Sequence, residues 1–177
     1  MAEDESLIVD FHKRLSEESV YTRFFNNISI EERVKHNRLI RVCHVDYDRD
    51  IALVALEDDR CKDNTCKLIA ASRLTKKHGV NIAEFSILVA DAYQGQGLGE
   101  KMLLELIERG RAEGLDAIEA VVLPSNRAMI HVCEKVGFEC RWDTDEGFVK
   151  TFLNLRKHRS TRSMDAMQTR RFTAIDI

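Results

Sequence analysis

The chain has 177 residues, of which 44% are hydrophobic and 32% are charged, and its net charge is −3. This length and composition are those of one globular domain with a core of its own. The small negative charge excludes a general attraction to nucleic acid or to anionic membranes, and no run of about 20 apolar residues could span a bilayer. The acidic start lacks the basic region of a secretory signal. A cytoplasmic location is therefore expected.

The first part of the chain carries helical patterns. Apolar residues at helical spacing over residues 4–18 predict an amphipathic helix. Residues 19–27 are expected to form a linker or a turn of helix. The capping-box pattern at Ser29 then predicts a second helix that continues through Val42 and is ended by the acidic residues 46–50.

Three strand candidates follow, at residues 51–56, 67–74 and 80–90. Short polar segments separate them, which predicts an antiparallel meander.

Helices and strands then alternate. A strong helical period runs from Leu98 to Arg109 and is expected to end at Gly110 or Gly114. A strand at residues 117–123, a helix at 126–136 and a last strand at 148–155 complete the pattern. This order predicts an α/β or α+β fold over residues 1–155. The basic residues 156–177 are expected to be a flexible tail, with a docking element as the alternative.

Five cysteines are scattered along the chain, at positions 43, 61, 66, 133 and 140. In a cytoplasmic protein they are expected to be reduced thiols. Cys61 and Cys66 could be drawn with His78 as part of a zinc site. A second Cys/His pair is missing, however, so no metal is expected.

A glycine-rich segment, Gln94-Gly95-Gln96-Gly97-Leu98-Gly99, lies between the third strand and the long helix. Glycines permit positive φ angles and a close approach to a ligand, and the N–H groups at a helix N-terminus suit a phosphate. The alternative is a tight turn without a ligand. The spacing differs from the Rossmann pattern, and Glu100 stands where a Walker A loop has lysine. The sequence therefore predicts an anion held mainly by backbone donors.

Two segments together resemble one enzyme family. Residues 89–99 resemble the coenzyme A motif of GNAT-type N-acetyltransferases, Gln/Arg-x-x-Gly-x-Gly/Ala. Residues 126–138, which start with Asn126 and end in Glu-Lys-Val-Gly-Phe, resemble a later helix of that family. The resemblance covers roughly residues 50–155. It implies a mixed central sheet flanked by helices, acetyl-CoA as cosubstrate, and transfer of the acetyl group to an amine.

A narrower resemblance concerns the acceptor. Residues 10–25, residues 41–56 and Ala83-Glu84-Phe85 are similar to bacterial protein lysine acetyltransferase domains. This implies a lysine-bearing protein as acceptor, such as an acyl-CoA synthetase. A small amine as acceptor, or a non-catalytic sensor that binds acetyl-CoA, are the alternatives.

The start of the chain departs from the GNAT pattern. These domains usually begin with a strand before the first helix, whereas here the helical pattern starts within the first few residues. The first strand is therefore expected to be trimmed away, supplied by an enclosing protein, or dispensable.

The resemblance also implies roles for individual residues. Glu84 matches the proposed general base of the subfamily, and its alternative is an exposed carboxylate on a half-buried strand. The N–H of Val89 is expected to polarise the thioester carbonyl. The full set expected to contact acetyl-CoA is Leu88, Val89, Gln94, Gly95, Gln96, Gly97, Leu98, Gly99, Glu100, Asn126, Met129 and Cys133.

Four of these positions carry reservations. Many relatives have Arg or Lys where Gln94 or Gln96 stands, so charge assistance to the coenzyme is reduced here. Asn126 is expected to contact the coenzyme arm, to cap its helix, or both. Cys133 replaces a tyrosine that protonates the leaving thiolate in many GNAT enzymes. A thiol could donate that proton, but a small apolar filler is the favoured interpretation.

Overall fold

The protein is described by a computed structural model that covers residues 2–43, 49–57 and 67–156. The helices are α1 (Ala2–Lys13), α2 (Glu17–Phe24), α3 (Ile30–Arg33), α4 (His36–Cys43), α5 (Leu98–Ala112) and α6 (Arg127–Val136). The strands are β1 (Asp50–Glu57), β2 (Lys67–Lys76), β3 (Ile82–Val89), β4 (Ala117–Val122), β5 (Glu139–Asp143) and β6 (Phe148–Asn154). A 3-10 turn, Asp91–Tyr93, follows β3.

The strands form one mixed sheet in the order β1-β2-β3-β4-β6-β5. The predicted antiparallel meander is confirmed in β1, β2 and β3. β3 and β4 are parallel, and they pair only from Ile82–Ala117 to Glu84–Glu119. Because this pairing ends at Glu84 while β3 continues to Val89, the sheet opens between the two strands. The predicted α/β architecture is confirmed.

Side chains pack on both faces of the sheet, since successive residues of a strand point to opposite sides. On one face Phe85 joins α5 and α6 in the larger core, which includes Leu103, Leu106 and Ile118. On the other face Leu88 packs against α1 and α2 in a second core built on Phe11, Leu15 and Val20. β3 is therefore held from both sides.

The N-terminal helices differ from the prediction. The helix expected over residues 4–18 ends at Lys13, because Ser16 starts a new helix by accepting the N–H of Ser19 at 3.2 Å. Residues 19–27, expected as a linker or a turn of helix, mostly belong to α2. Ser29 caps α3 as predicted, but α3 ends at Arg33 and the second predicted helix is thus divided into α3 and α4.

The C-terminal half follows the prediction more closely. α5 passes through Gly110 and ends before Gly114, which has φ of +69°. A Cβ at Gly110 would lie 3.0 Å from Ile118 Cδ1, so this glycine lets α5 pack closely on β4. β5 is missing from the prediction, because its alternating charged residues resemble a loop.

Two expectations concern the ends of the chain, namely the absence of a first strand and the flexible basic tail. Within the described ranges no strand precedes α1, and β1 forms one edge of the sheet. The basic segment 157–177 and residues Cys61 and Cys66 lie outside the described residues. Across the described helices, none has both the length and the apolar character needed to cross a membrane.

Candidate active site

The glycine loop, residues 94–99, joins the 3-10 turn to α5. Gly95 and Gly97 have φ of +70° and +79°, a region that strains other residues, so both positions require glycine. A Cβ added at Gly95, Gly97 or Gly99 would meet no atom within 4 Å. The backbone of the loop therefore faces open space, which is what the close approach of a ligand needs.

The N-terminus of α5 has no side-chain cap. Ser16, Ser29 and Asn126 each accept a backbone N–H at the start of α2, α3 and α6, whereas Gly97 caps α5 without a side chain. The N–H of Lys101 bonds to Gly97 O at 3.1 Å, and the preceding N–H groups lack intrahelical acceptors. Together with the helix dipole, these groups suit a phosphate or pyrophosphate.

The two glutamines of the loop brace its backbone. Gln94 Nε2 donates to Val89 O at 3.0 Å and to Ser19 Oγ at 2.8 Å. Gln96 Nε2 donates to Ala92 O at 2.9 Å. Both amide groups thus hold the conformation in which the loop N–H groups are exposed.

Asp91 fastens the loop to α2. Its carboxylate accepts hydrogen bonds from Ser16 N at 2.9 Å, from Ser16 Oγ, and from Ser19 Oγ at 2.9 Å. Burial alone raises the pKa of Asp91, but the hydrogen bonds from Ser16 and Ser19 outweigh burial and hold the pKa below its usual range. The anionic carboxylate is therefore the form that joins the two segments.

The opening between β3 and β4 exposes backbone donors. Lys77 N bonds to Ile82 O and Ala90 N bonds to Ile69 O, so the even-numbered residues of β3 direct their N–H and C=O groups toward β2. The odd-numbered residues face β4, where pairing ends after Glu84. The N–H groups of Ile87 and Val89 consequently point into the opening.

Leu88 is placed differently. By the same alternation its backbone groups face β2, and its side chain is buried in the second core. The structure therefore brings Val89, but not Leu88, to the opening.

Glu84 is exposed at the last paired position of β3. Its cross-strand neighbours are Thr75 on β2 and Glu119 on β4. Lys77 hydrogen-bonds to Glu119, and this bond, together with the charges of Glu119 and Glu84, raises the pKa of Lys77. The carboxylate of Glu84 thus lies where the sheet opens and where an amine could reach it.

An ion pair joins the first turn of α5 to the last turn of α6. Glu100 Oε2 accepts from Lys135 Nζ at 2.7 Å, so this carboxylate is paired across the two helices. Asn126 Oδ1 accepts from Met129 N at 3.1 Å, which shows that Asn126 caps α6. The side chain of Met129 is half-buried against the larger core.

Cys133 lies fully inside the larger core. Burial, and then the nearby Cys140, raise the pKa of the Cys133 thiol to about 12. This placement is that of a packing residue, in agreement with the favoured interpretation from the sequence.

Ser16, Ser19 and Asp91 hold the loop in place, but their roles were not predicted from the sequence. The serine pair has a local signal, because a Ser three residues before a helical N–H is a common cap. Asp91 has none, since its partners are 72 and 75 residues away in the chain. Among the described residues, no group of three His, Cys, Asp or Glu side chains could hold a metal ion.

Residues 16–138 match the sequence profile of the Acetyltransferase (GNAT) family, which is more than half of the chain. The chain belongs to this family. The predicted fold, acyltransferase class and use of acetyl-CoA are confirmed with it.

Two acetyltransferases are similar in sequence to this chain, each over a part of its length. Acetyltransferase PA5475 of Pseudomonas aeruginosa is 28% identical over 144 residues, or 81% of this chain and 74% of that protein. The L-methionine sulfoximine/L-methionine sulfone acetyltransferase of the same species is 43% identical over 56 residues, which are 32% of this chain and 33% of that enzyme.

Solved structures of other proteins have the same fold over most of this chain. The GNAT domain of S. lividans PAT is 26% identical, with a TM-score of 0.73 and 85% coverage of each chain. The spermidine N-acetyltransferase of Vibrio cholerae, in complex with CoA and spermine, is 17% identical, with a TM-score of 0.67 and coverage of 86% of this chain and 92% of that one. At that identity the second likeness concerns the fold alone.

Proposed function

We propose that the protein transfers the acetyl group of acetyl-CoA to the ε-amine of lysine side chains in another protein, with Glu84 as general base. The observation that carries this proposal is the position of Glu84, exposed at the residue where β3 and β4 part. An exposed base is open to a lysine presented by a large partner. The resemblance of residues 10–25 and 41–56 to protein lysine acetyltransferase domains supports the same acceptor.

The coenzyme fits the uncapped end of α5. The N–H groups of the glycine loop, which face open space, are proposed to bind the pyrophosphate. Acetyl-CoA supplies an acetyl thioester that is already activated. The N–H of Val89 is proposed to donate to the thioester carbonyl oxygen, and the N–H of Ile87 points into the same opening.

The acceptor must lose a proton before it can attack. A lysine amine has a pKa of about 10.4, so its deprotonation at pH 7 costs about 4–5 kcal/mol. Glu84 is proposed to receive this proton from Nζ of the acceptor through bound water rather than by direct contact. Val89 lies five residues farther along β3, or about 17 Å at the usual rise of a strand, so the proton is expected to pass through water.

The matched variants Glu84→Gln and Glu119→Gln test this mechanism. Both replace a carboxylate at neighbouring positions of the sheet, but only Glu84 is proposed as the base. Glu84→Gln is expected to lower kcat at pH 7 by about 100-fold or more, with the Kd of acetyl-CoA unchanged. Glu119→Gln is expected to keep kcat within a few-fold. A folded Glu84→Gln protein with near-full turnover removes Glu84 from the mechanism.

A small amine is the second candidate acceptor. The 43% identity over 56 residues to an acetyltransferase named for L-methionine derivatives favours it. Mass spectrometry of a lysate incubated with labelled acetyl-CoA separates the candidates. Label on protein lysines supports the proposed function, and label on small molecules alone supports the second candidate. Acetyl-CoA binding without any transfer would indicate a sensor.

A further inference from the structure

Arg23 of α2 lies beside the candidate base. Its Nη2 donates to Ser86 Oγ at 2.8 Å, and Ser86 follows Glu84 by two residues, hence on the same face of β3. The guanidinium carbon of Arg23 is 5.0 Å from the centroid of the Phe24 ring, and that of Arg38 is 5.3 Å from the same centroid. Two guanidinium groups therefore contact the same aromatic ring. This ring belongs to α2, which packs on the face of β3 that carries Glu84 and Ser86.

Arg23 has no acidic partner in the described part of the chain. Other arginines there form ion pairs, for example Arg14 with Asp10 and Arg156 with Asp116. Arg23 is half-buried and bonds to a neutral hydroxyl. A cation removed from water is unfavourable unless an anion accompanies it.

The electrostatic surroundings of Arg23 are also mainly positive. Burial lowers the pKa of Arg23, and the charges of Arg73 and Arg38 lower it further. Among the described groups whose charges act on Arg23, only Glu84 opposes this trend. The surroundings thus favour the arrival of a negative group near Arg23.

We propose that Arg23 binds a carboxylate of the acceptor, so that the preferred acceptor is an amine with a carboxylate close to it. This inference rests on the proposed function, because the acceptor amine must enter the opening between β3 and β4 and lose its proton to Glu84. The planar guanidinium binds carboxylates through paired N–H groups, and one hydrogen bond to Ser86 leaves further donors. The carboxylate belongs either to an acidic residue beside the acceptor lysine or to the small acceptor itself.

The coenzyme phosphates are a less suitable partner for Arg23. They are proposed to bind the glycine loop, which is fastened to the start of α2 through Ser16 and Ser19. Arg23 lies near the other end of this helix, about 10 Å farther along its axis. The anion at Arg23 is therefore expected to come from the acceptor side.

Pairs of acceptors that differ by one charge test the inference. One pair is a peptide with Asp next to its single lysine and the same peptide with Asn. The other pair is L-lysine and L-lysinamide. The carboxylate member of at least one pair is expected to have a kcat/KM about tenfold higher or more, as for a hydrogen bond between charged groups. The pair that shows this ratio identifies the source of the carboxylate.

Two variants assign the preference to Arg23. Arg23→Gln is expected to bring the ratio of kcat/KM within the pair close to one. Ser86→Ala, the matched control, removes the same hydrogen bond but keeps the charge, and it is expected to retain the ratio. The Kd of acetyl-CoA is measured for both proteins by titration calorimetry and is expected to stay unchanged.

The outcomes separate this inference from the proposed function. Equal kcat/KM for both members of each pair in the wild-type protein overturns the inference and leaves acetyl transfer intact, and this measurement needs no variant. An unchanged ratio in Arg23→Gln also overturns it, and a raised Kd of acetyl-CoA in that case assigns Arg23 to the coenzyme. The absence of transfer to any amine refutes the proposed function and the inference with it.

Discussion

Asp91 accepts hydrogen bonds from both the backbone N–H and the hydroxyl of Ser16, and these bonds join the 3-10 turn that precedes the glycine loop to the N-terminus of α2. The other end of α2 carries Arg23, which bonds to Ser86 two residues beyond Glu84. One short helix therefore contacts both the segment proposed to bind the coenzyme and the strand that carries the proposed base. A shift of α2 is expected to affect both.

Replacement of Asp91 by alanine tests this connection. The change leaves the donors of Ser16 and Ser19 without their acceptor, so the free energy of unfolding is expected to fall by about 1–3 kcal/mol. The Kd of acetyl-CoA is expected to rise, because the loop is no longer fastened. Urea denaturation and titration calorimetry measure the two effects.

Asp10→Ala is the control for Asp91→Ala. Asp10 pairs with Arg14 on the surface, where such pairs contribute at most about 1 kcal/mol. Its loss is expected to leave the Kd of acetyl-CoA unchanged. If both variants bind acetyl-CoA as the wild-type protein does, Asp91 does not organise the loop.

The glycine loop gives a second prediction, for Gly97→Ala and Gly79→Ala. The two glycines have φ of +79° and +75°, and a Cβ at either would meet no atom within 4 Å. Each substitution is therefore expected to cost about 1–2 kcal/mol of folding free energy through backbone strain. Only Gly97→Ala is expected to weaken acetyl-CoA binding, since Gly79 lies in the turn between β2 and β3. Equal affinities of the two variants for acetyl-CoA would argue against the loop as the binding site.

The sequence predicts those parts of the candidate site that depend on residues close together in the chain. The glycines, the uncapped start of α5 and the cap at Asn126 each depend on a few adjacent residues. The hydrogen bonds between Asp91 and Ser16 join residues that are 75 positions apart, and no local sequence pattern predicts them. The division of the first predicted helix does have a local signal, because Ser16 accepts the N–H of Ser19, three residues farther along the chain.

The opening between β3 and β4 could not be predicted from the sequence, for a different reason. Residues 80–90 read as a strand throughout, and β3 does continue to Val89. Whether a neighbouring strand stays paired depends on the course of β4, which departs after Glu119. The family resemblance could therefore suggest Glu84 and Val89 as site residues, but it could not show the opening of the sheet that lies between them.

Cys133 gives a third prediction, about thiol reactivity. Its pKa is raised to about 12, chiefly by burial, and the thiolate is the reactive form. In the folded protein at pH 8, Cys133 is expected to resist iodoacetamide for hours, and in urea it is expected to react within minutes. Peptide mapping by mass spectrometry measures the labelling of this cysteine. Rapid labelling in the folded state would show that the thiol is accessible, which a proton donor to the coenzyme requires.

His12 gives the last prediction, about stability at acidic pH. The residue is only 8% exposed, and its Nδ1 has no hydrogen-bond partner among the described residues. Burial, followed by the charges of Arg33 and Arg38, lowers the pKa of His12 from 6.5 to about 4. The folded protein therefore keeps His12 neutral at a pH where the unfolded chain already binds a proton.

The direction of the pH effect follows from linkage. Stability from neutral His12 is fully present above about pH 6.5 and is lost as the pH falls toward 4, to a total of about 2–3 kcal/mol. Urea denaturation between pH 7 and pH 4 is expected to show this loss in the wild-type protein and in His36→Gln, which changes an exposed histidine. In His12→Leu the loss is expected to be smaller by that amount, because the titrating group is gone, even if the variant is less stable at pH 7. The same pH dependence in His12→Leu and the wild-type protein would show that other groups control acid unfolding.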